Sequence, residues 1–444
     1  MAPTSQSKQR RSANYHPTIW DPTAIKSFTN SIHMYGTQLE DLKQKVGKLV
    51  GSRKGTAASL KLIDSLQRLG VAYHFQDQIQ QALDPLNVDQ NVVSNHLSTV
   101  ALRFRLRREH CYPVTAVKAK QIVRSLGVPL HWKMERVEAR NFIDSYAMDD
   151  SKSSVLLDLA KLNYNLIQSA YQQELKQLAE WWRELNFKEK LSFSRDRLME
   201  IYLWATGLSF EPQYAKCRIC FTKYACLATV VEDIYDIYGS LDELERFTKA
   251  VIGWDVEAVQ QLPEYMRAMF SAMSNFTNEL AQQTMNDHGL DVLPYIKEQG
   301  TYHRSQMVLR RQTPLPIGFR IFSRTTPSCF TGRLWLIDSA MIMAEMERGD
   351  IPKAVQSYMI EKGVSEKGVS EEEARDHVKE LISYAWKKMN EEIVGNCFPR
   401  MVVNLSKNMA RTAQCIYQHG DGVGTSTGVT KDCIVSSILK PIPF

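Results

Sequence analysis

The 444-residue sequence contains no run of five or six lysines and arginines, and its 55 Lys and Arg only slightly outnumber its 49 Asp and Glu. This weak and scattered basic excess disfavours nucleic acid as a partner and excludes a polybasic membrane anchor. Its apolar runs, such as 224–231, are far shorter than the roughly 20 residues that a bilayer-spanning helix requires. The sequence therefore predicts no transmembrane segment.

Cysteine is also sparse, with eight residues at irregular positions. Such usage in a long chain disfavours a disulfide scaffold and indicates buried thiols in a reducing compartment. Cys217 and Cys220 form one CxxC pattern, but no second Cys or His pair with zinc spacing accompanies it. We therefore expect this pair to pack within a helix and not to bind zinc.

Residues 1–20 contain no Asp or Glu and are rich in Ser, Thr, Gln, Lys and Arg. This composition is typical of an organelle transit peptide, although the segment is too short to be a full one. No apolar stretch of 7 to 15 residues follows, which argues against a secretory signal. Two expectations remain open: a transit segment missing from this chain, or a protein of the cytosol.

The composition, with 44% hydrophobic and 23% charged residues, is that of a globular protein, and the length favours two domains. Apolar residues recur at helical spacing, and no run of alternating strands is visible. The polar stretch 148–154 interrupts this pattern. We therefore predict an all-α protein with an N-terminal helical domain at 1–150 and a C-terminal helical domain at 151–444.

One segment, 300–336, differs from its surroundings. It contains six Arg and no Asp, Glu or Lys, and it has prolines at positions 314, 316 and 327. Proline breaks helices, and a loop of this length is uncommon within a compact domain. The segment is therefore predicted to be anomalous.

The most informative stretch, 214–239, is predicted to form one helix that ends with Gly239 in the C′ position. Ser240 and Glu243 then form the pattern of a capping box at the start of the next helix. Near the end of the first helix, Glu232 and Asp236 lie four residues apart and so share a face. Two adjacent carboxylates suit a hard cation such as Mg²⁺, which prefers oxygen ligands and leaves positions for phosphate oxygens.

Upstream, Ser194 is predicted to cap a helix whose first turn contains Arg195 and Arg197. Two arginines can bind a diphosphate bidentately. Trp204 lies seven residues after Arg197, on the same helical face, and a tryptophan ring can stabilise a cation.

These residues resemble the plant terpene synthases, and in particular the monoterpene-synthase branch that includes ocimene, myrcene and linalool synthases. Arg10 and Arg11, followed by eight residues and Trp20, match the RRx8W motif of that family. Arg195-Asp-Arg197 matches its RxR motif, and 232–236 (EDIYD) matches DDxxD with Glu in the first position. Further similarity lies in WWRELNFKEKLSFSRDR, FEPQY, IYGSLDELERFT, RGDIPK and MARTAQCIYQHGDG.

The resemblance implies a class I terpenoid synthase fold, with a basic arm (1–20) that closes over the active site. It implies Mg²⁺ as cofactor, with Mn²⁺ as an alternative, and geranyl diphosphate as substrate of a reaction that releases diphosphate and a monoterpene. It further implies a monomer and a plastid location. By position in the motifs, the resemblance implies a catalytic role for Glu232, Asp236 and Arg195, and metal binding by Glu232, Asp233, Asp236 and Glu345. It implies substrate binding by Arg195, Arg197, Arg348, Trp204, Tyr417 and Asp421. It also places Arg10, Arg11 and Trp20 in the arm.

The sequence departs from the family pattern in two regions. The second metal motif, (N/D)Dxx(S/T)xxxE, would place its ligands at Ile337, Met341 and Glu345, so only Glu345 can supply a carboxylate, with Asp338 beside it. The helices expected in 300–336 are not visible, and the stretch between Arg108 and Gln121 is shortened. Internal deletions therefore predict an enzyme of weak or no activity.

The alternative hypothesis is a non-catalytic helical paralogue that retains the acidic helix by descent. A chain-elongating prenyltransferase is disfavoured, because the RRx8W arm is present and only one DDxxD-like motif occurs.

Overall fold

The computed structural model describes residues 10–29, 35–52, 57–84, 97–110, 130–297, 358–359, 369–395, 400–417, 422–424 and 428–444. Within these ranges the secondary structure is helical and contains no strand, so the prediction of an all-α protein is confirmed. None of the helices described there is both long and apolar enough to cross a membrane.

The described residues form sixteen α-helices, numbered in chain order. They are α1 (Pro22–Lys26), α2 (Gly36–Gly51), α3 (Ala57–Arg68), α4 (Gln76–Leu83), α5 (Leu97–Glu109), α6 (Glu135–Ala147), α7 (Ser154–Leu185), α8 (Phe187–Lys190), α9 (Leu198–Leu208), α10 (Ala215–Asp233), α11 (Leu241–Gly253), α12 (Val256–Gln260), α13 (Glu264–His288), α14 (Glu371–Gly395), α15 (Arg400–Tyr417) and α16 (Gly428–Ile434). Short 3₁₀ turns lie at Ala72–Phe75, Leu130–Trp132 and Pro212–Tyr214, and π-turns extend α10 and α16 through Ile234–Tyr238 and Val435–Leu439.

The helices α2 to α6 and the first part of α7 bury one apolar cluster. Its members follow the helical spacing of the sequence, because residues three and four apart lie on one face of a helix. In α2 the buried positions are Leu42, Val46 and Val50, and α3 contributes Leu60, Ile63 and Leu66 in the same way. Amphipathic faces of this kind provide most of the stability of such helices.

The 32-residue helix α7 belongs to two cores. Its residues 156–164 pack in the N-terminal cluster, whereas Ile167, Tyr171, Leu175 and Leu178 pack against α9, α10 and α15. The polar stretch 148–154 forms the turn that leads from α6 into this helix. The division of the chain near residue 150 stays a prediction, because α7, which begins just after that point, packs in both cores.

A third apolar cluster positions the end of α10. Val230, Val231 and Ile234 pack there against α11 and α13, through residues such as Phe247 and Met269. The acidic motif at 232–236 therefore lies on a helix that is held on one side by the core around α9 and on the other by α11 and α13.

Candidate active site

The helix that carries the acidic motif is continuous, as predicted, but it does not end as predicted. After Asp233 the backbone changes from α to π-helical hydrogen bonding over Ile234–Tyr238, and such π-turns are frequent at functional sites. Gly239 has φ −68° and ψ 140°, which is extended and not left-handed, so its assignment to a C′ position was wrong. Glycine is required there by space, because a Cβ would lie 2.7 Å from the Leu244 side chain and 2.9 Å from the Ile234 carbonyl oxygen.

The predicted capping box at the start of α11 is present. The Ser240 hydroxyl accepts a hydrogen bond from the Glu243 backbone N–H, and the Glu243 carboxylate accepts one from the Ser240 N–H at 3.0 Å. This reciprocal pair satisfies two backbone donors at the beginning of the helix. It also places the Glu243 carboxylate directly after the acidic motif.

The three acidic side chains of the motif differ sharply in burial. Asp233 is only 1% exposed, whereas the side chain of Glu232 is 34% exposed and Asp236 is an exposed residue. Oδ2 of Asp233 accepts a hydrogen bond from the backbone N–H of Arg195 at 2.8 Å, and Oδ1 lies 2.8 Å from Nη2 of the same arginine. Asp233 therefore orients Arg195, and its predicted contact with a metal stays a prediction.

Arg195 lies between the acidic motif and the N-terminal arm. Its Nη2 atom is 3.7 Å from Oε2 of Glu232, and its guanidinium carbon is 4.8 Å from the centre of the Tyr15 ring. Burial disfavours the charged guanidinium, but the Asp233 carboxylate outweighs this effect and holds the pKa of Arg195 above its ordinary value. The site thus contains a permanent buried cation beside the acid pair.

The segment around Arg197 differs from the prediction. Helix α9 begins at Leu198, and the Ser194 hydroxyl donates to the Leu191 carbonyl oxygen, so Ser194 is not its N-cap. Arg197 itself is 2% exposed and donates to the carbonyl oxygens of Gly424, at 2.8 Å, and His16, at 2.7 Å. It therefore joins the N-terminal arm to the C-terminal region, and its binding of diphosphate stays a prediction.

The first arm arginine binds beside the acidic motif. Arg10 forms a bidentate ion pair with Glu243, at 2.9 and 2.8 Å, and donates to the Tyr238 carbonyl oxygen at 3.3 Å. Its guanidinium also lies over the rings of Tyr238 and Tyr265, at 4.6 and 5.3 Å from their centres. Bidentate and stacked contacts of this kind are specific to arginine.

The remaining arm residues extend this contact. Arg11 donates to the backbone carbonyl oxygen of Asp236 at 2.9 Å, and Trp20 donates its indole N–H to Oε1 of Glu200 at 2.7 Å. Glu200 lies on α9 and is completely buried. The described part of the arm, 10–20, is thus attached near each of its ends, to the end of the acidic helix and to α9.

Two aromatic residues predicted separately come together in the structure. The rings of Trp204 and Tyr417 lie 5.7 Å apart in an edge-to-face arrangement, and the Trp204 indole N–H is directed at the Met409 sulfur at 3.4 Å. The other predicted positions lie outside the described residues. They are Asp338, Glu345, Arg348, Asp421, the motif positions Ile337 and Met341, the segment 300–336 and residues 111–121 of the shortened stretch.

Sequence reasoning missed Glu243 and Glu200 as partners of the arm. The capping-box pattern identified Glu243 as structural, but nothing in the pattern indicated that its second oxygen would bind Arg10. Glu200 is the acidic residue of the otherwise apolar helix α9. This position was the available sign that a buried carboxylate there would need a hydrogen-bond donor.

Comparison with known proteins agrees with this geometry. The model of the terpene synthase family metal-binding domain matches residues 183–309 and 325–388, and the model of the terpene synthase N-terminal domain matches residues 19–153. This chain belongs to the terpene synthase family. Members of this family are lyases that act on prenyl diphosphates, and the matched metal-binding domain implies a divalent metal cofactor.

Named relatives are plant enzymes. The chain is 39% identical to probable terpene synthase 9 of Ricinus communis, over 99% of this chain and 92% of the relative, and 38% identical to the chloroplastic trans-ocimene synthase of Litsea cubeba, over 98% and 91%. The first alignment runs over 543 residues, more than the 444 of this chain. The relative therefore contains internal residues that have no counterpart here.

Solved structures show the same fold. A limonene synthase with 2-fluorolinalyl diphosphate matches with a TM-score of 0.87 and 28% identity, over 98% of this chain and all of the other. Isoprene synthase from grey poplar leaves matches with a TM-score of 0.82 and 29% identity, over 98% and 100%. The class I terpenoid synthase fold is thereby confirmed.

Proposed function

We propose that this terpene synthase converts geranyl diphosphate to a monoterpene with release of diphosphate, and that Mg²⁺ is its metal. The observation that carries the proposal is the position of the acid pair, Glu232 and Asp236, on accessible parts of α10 and its π-turn, beside the buried Arg195 and under the basic arm. The similarity to trans-ocimene synthase and to the myrcene synthase of Quercus ilex supports the C10 substrate and the plastid location.

The acid pair suits a hard cation. Mg²⁺ is commonly held by one or two carboxylates together with waters and substrate phosphate oxygens. Among the residues that the structure describes, no three or more side chains of His, Cys, Asp or Glu are grouped so that they could hold one metal ion. Glu232 and Asp236 would therefore hold the metal from the protein side, with Glu345 as the remaining ligand that the sequence offers.

Residues of the chain itself would meet the other requirements for ionisation of the prenyl diphosphate substrate. Arg195 is buried, so its positive charge is kept out of bulk water. In such a site a positive charge most strongly stabilises the negative charge that develops on a departing diphosphate. Bound Mg²⁺ would add charge neutralisation of the same leaving group. Trp204 and Tyr417 offer aromatic faces to a carbocation, and the arm residues 10–20 limit the access of water.

The departures in the second metal motif lead to a second part of the proposal, that turnover is weak. Ile337 and Met341 have no oxygen to offer a metal, so one part of the metal shell is lost. We also propose that the protein is a monomer and does not bind nucleic acid, in line with its scattered charge.

The test is incubation of the purified full chain with geranyl or farnesyl diphosphate, with Mg²⁺, Mn²⁺ or a chelator, followed by gas chromatography. We expect metal-dependent monoterpene formation that is slower than that of trans-ocimene synthase from Litsea cubeba. Asp236→Asn should reduce it at least tenfold, whereas Asp158→Asn, which changes an exposed aspartate on α7, should not.

Turnover as fast as that of the relative would refute the impairment. Absence of any metal-dependent product would refute the catalytic proposal and favour the non-catalytic paralogue.

A further inference from the structure

The N-terminal arm contributes an aromatic ring to the surroundings of Arg195. The guanidinium carbon of Arg195 lies over the Tyr15 ring, 4.8 Å from its centre, which is the geometry of a cation–π contact. The Arg195 side chain is 7% exposed, and Tyr15 is itself half-buried. Because a cation–π contact is strongest where water is excluded, this contact is stronger than one between exposed side chains.

The hydrogen-bond donors of Arg195 are not all used. Asp233 lies 2.8 Å from its Nη2 atom, and Oε2 of Glu232 lies 3.7 Å from the same atom. The Nε atom is buried and has no hydrogen-bond acceptor among the residues that the structure describes. A guanidinium carries five N–H donors, and a buried donor without an acceptor costs free energy. Contacts other than hydrogen bonds must therefore help to stabilise this charge.

The Tyr15 ring meets this requirement without occupying a donor. An aromatic face attracts a cation through its quadrupole, whereas the N–H donors of a guanidinium lie in the plane of the group. A second carboxylate in the same place would neutralise the charge and take up donors. The ring can therefore stabilise Arg195 and leave N–H groups for an oxyanion.

The arm is fixed on both sides of Tyr15. Before it, Arg11 donates to the backbone carbonyl oxygen of Asp236 at 2.9 Å. Directly after it, the His16 carbonyl oxygen accepts from the buried Arg197 at 2.7 Å. These contacts hold the backbone around Tyr15 independently of its ring.

A bend in the arm lies directly before Tyr15. Asn14 has a left-handed backbone, with φ 49°, and its N–H donates to the Ser12 hydroxyl at 3.2 Å. Asparagine adopts this conformation more readily than most residues, and valine, with a branched Cβ, adopts it with difficulty. Position 14 therefore controls the direction in which the chain enters Tyr15.

We propose that Tyr15 is a positioning residue of the reaction, whose ring holds the Arg195 guanidinium so that its unused N–H donors meet the diphosphate oxygens. The inference rests on the proposed function in one respect, that the anion is the diphosphate of the substrate. A guanidinium that is already oriented needs no rearrangement when the anion arrives, so less of the binding free energy is lost.

The position of Arg195 can be measured without a ligand. In the full chain, prepared with isotope-labelled arginine, the NMR signal of the Arg195 Nε–H is identified by its absence from Arg195→Lys. Tyr15→Phe, which keeps an aromatic ring, should leave this signal at its wild-type position. Tyr15→Leu, which keeps an apolar side chain but has no ring, should move the signal, because the ring current is lost, and should speed its exchange with water.

The consequence for the anion is measured by calorimetric titration of the full chain with magnesium pyrophosphate. We expect Tyr15→Phe to bind it as tightly as wild type, and Tyr15→Leu to bind it about fivefold more weakly. Tyr384 on α14 offers a matched control, since it is 57% exposed and its ring centre lies 5.8 Å from Nζ of Lys388. Tyr384→Leu makes the same chemical change and should alter neither the Arg195 signal nor the affinity.

Two variants of the bend test the inference without changing the ring. Asn14→Val should act like Tyr15→Leu in both measurements, because it disfavours the left-handed backbone. Asn14→Gly should resemble wild type, because glycine adopts that backbone freely. This pair decides the question even if Tyr15→Leu fails to fold.

An Arg195 signal that is the same in wild type and Tyr15→Leu would overturn the inference. So would equal affinities of these two proteins for magnesium pyrophosphate. A wild-type chain that binds no magnesium pyrophosphate would instead refute the proposed function, and the Arg195 signal would still decide whether Tyr15 positions the guanidinium.

Discussion

The ion pair between Arg10 and Glu243 predicts how firmly the arm is held over the acidic motif. Glu243→Gln keeps the side-chain length and the capping box, since glutamine also accepts from the Ser240 N–H, but it removes the charge that binds Arg10. A hydrogen bond to a charged group contributes about 1.5–3 kcal/mol and a neutral one about 1 kcal/mol. Because the Arg10 side chain is 38% exposed, solvent screening reduces the difference to about 1 kcal/mol.

A change of about 1 kcal/mol shifts the ratio of detached to attached arm roughly fivefold. Trypsin measures this ratio directly, because it cleaves after Arg10 or Arg11 only when their side chains leave the protein surface. When detachment is fast relative to cleavage, the cleavage rate follows the detached fraction. We therefore expect cleavage in the arm of Glu243→Gln to be about five times as fast as in wild type.

Helix α14 offers a matched control. Ser370 and Glu373 form a second capping box, with the carboxylate accepting from the Ser370 N–H at 2.9 Å, on an exposed surface. Glu373→Gln makes the same chemical change and should leave cleavage after Arg10 unaltered. Equal cleavage of wild type and Glu243→Gln, or equal acceleration by both variants, would show that the ion pair does not hold the arm.

The same ion pair has a defined pH dependence. Burial raises the pKa of Glu243, but hydrogen bonds from Arg10, Ser240 and Tyr265 outweigh burial and lower it to about 2. A carboxylate with a lowered pKa contributes stability above its ordinary value near 4.5, and this contribution is lost as the pH falls towards 2. The difference in cleavage between wild type and Glu243→Gln should therefore be constant from pH 6 to 9.

Three further outcomes are expected. Asp233→Asn removes the charged partner of the buried Arg195 guanidinium, so it should lower the free energy of unfolding by about 3 kcal/mol and lower the thermal midpoint. Asp236→Asn should leave the midpoint unchanged, and equal midpoints for the two variants would contradict the orienting role of Asp233. Trp20→Phe removes the indole N–H that donates to the buried Glu200, so it should lower the free energy of unfolding by about 1–3 kcal/mol and speed tryptic cleavage of the arm. Unchanged cleavage would count against this attachment. Burial raises the pKa of Glu211 to about 7, so its contribution to stability falls as the pH rises from about 4.5 to 7. Glu211→Gln should therefore flatten the plot of thermal midpoint against pH between these two values. Wild-type and variant plots that run parallel would refute the raised pKa.

Local features of the site were predictable from sequence because they depend on residues a few positions apart. The helix through Glu232 and Asp236 and the capping box of Ser240 with Glu243 follow from spacings of three and four residues. The fold class followed from helical periodicity, and the family followed from motifs. Each of these signals lies within a short stretch of chain.

The predictions that failed concern positions where tertiary contacts outweigh local preference. Serine favours N-caps, but the backbone N–H of Arg195 is bound by Asp233, 38 residues away in sequence, and helix α9 starts only at Leu198. Glycine favours left-handed backbone, but at Gly239 the close approach of Leu244 is the reason for glycine. The contacts of Arg197 with His16 and Gly424 join three distant parts of the chain, so no spacing rule could indicate them.

The distribution of positive charge around the acidic motif explains why three neighbouring acids can serve different purposes. Asp233 faces inward to Arg195, which satisfies a carboxylate that could not remain charged in the core alone. Arg11 binds the backbone carbonyl oxygen of Asp236, so it counters the negative end of the helix. The described part of the arm can therefore lie beside the motif while Glu232 and Asp236 stay accessible to the divalent ion that we propose they bind. An arm that instead bound these carboxylates directly would compete with the metal, and closure would then oppose catalysis.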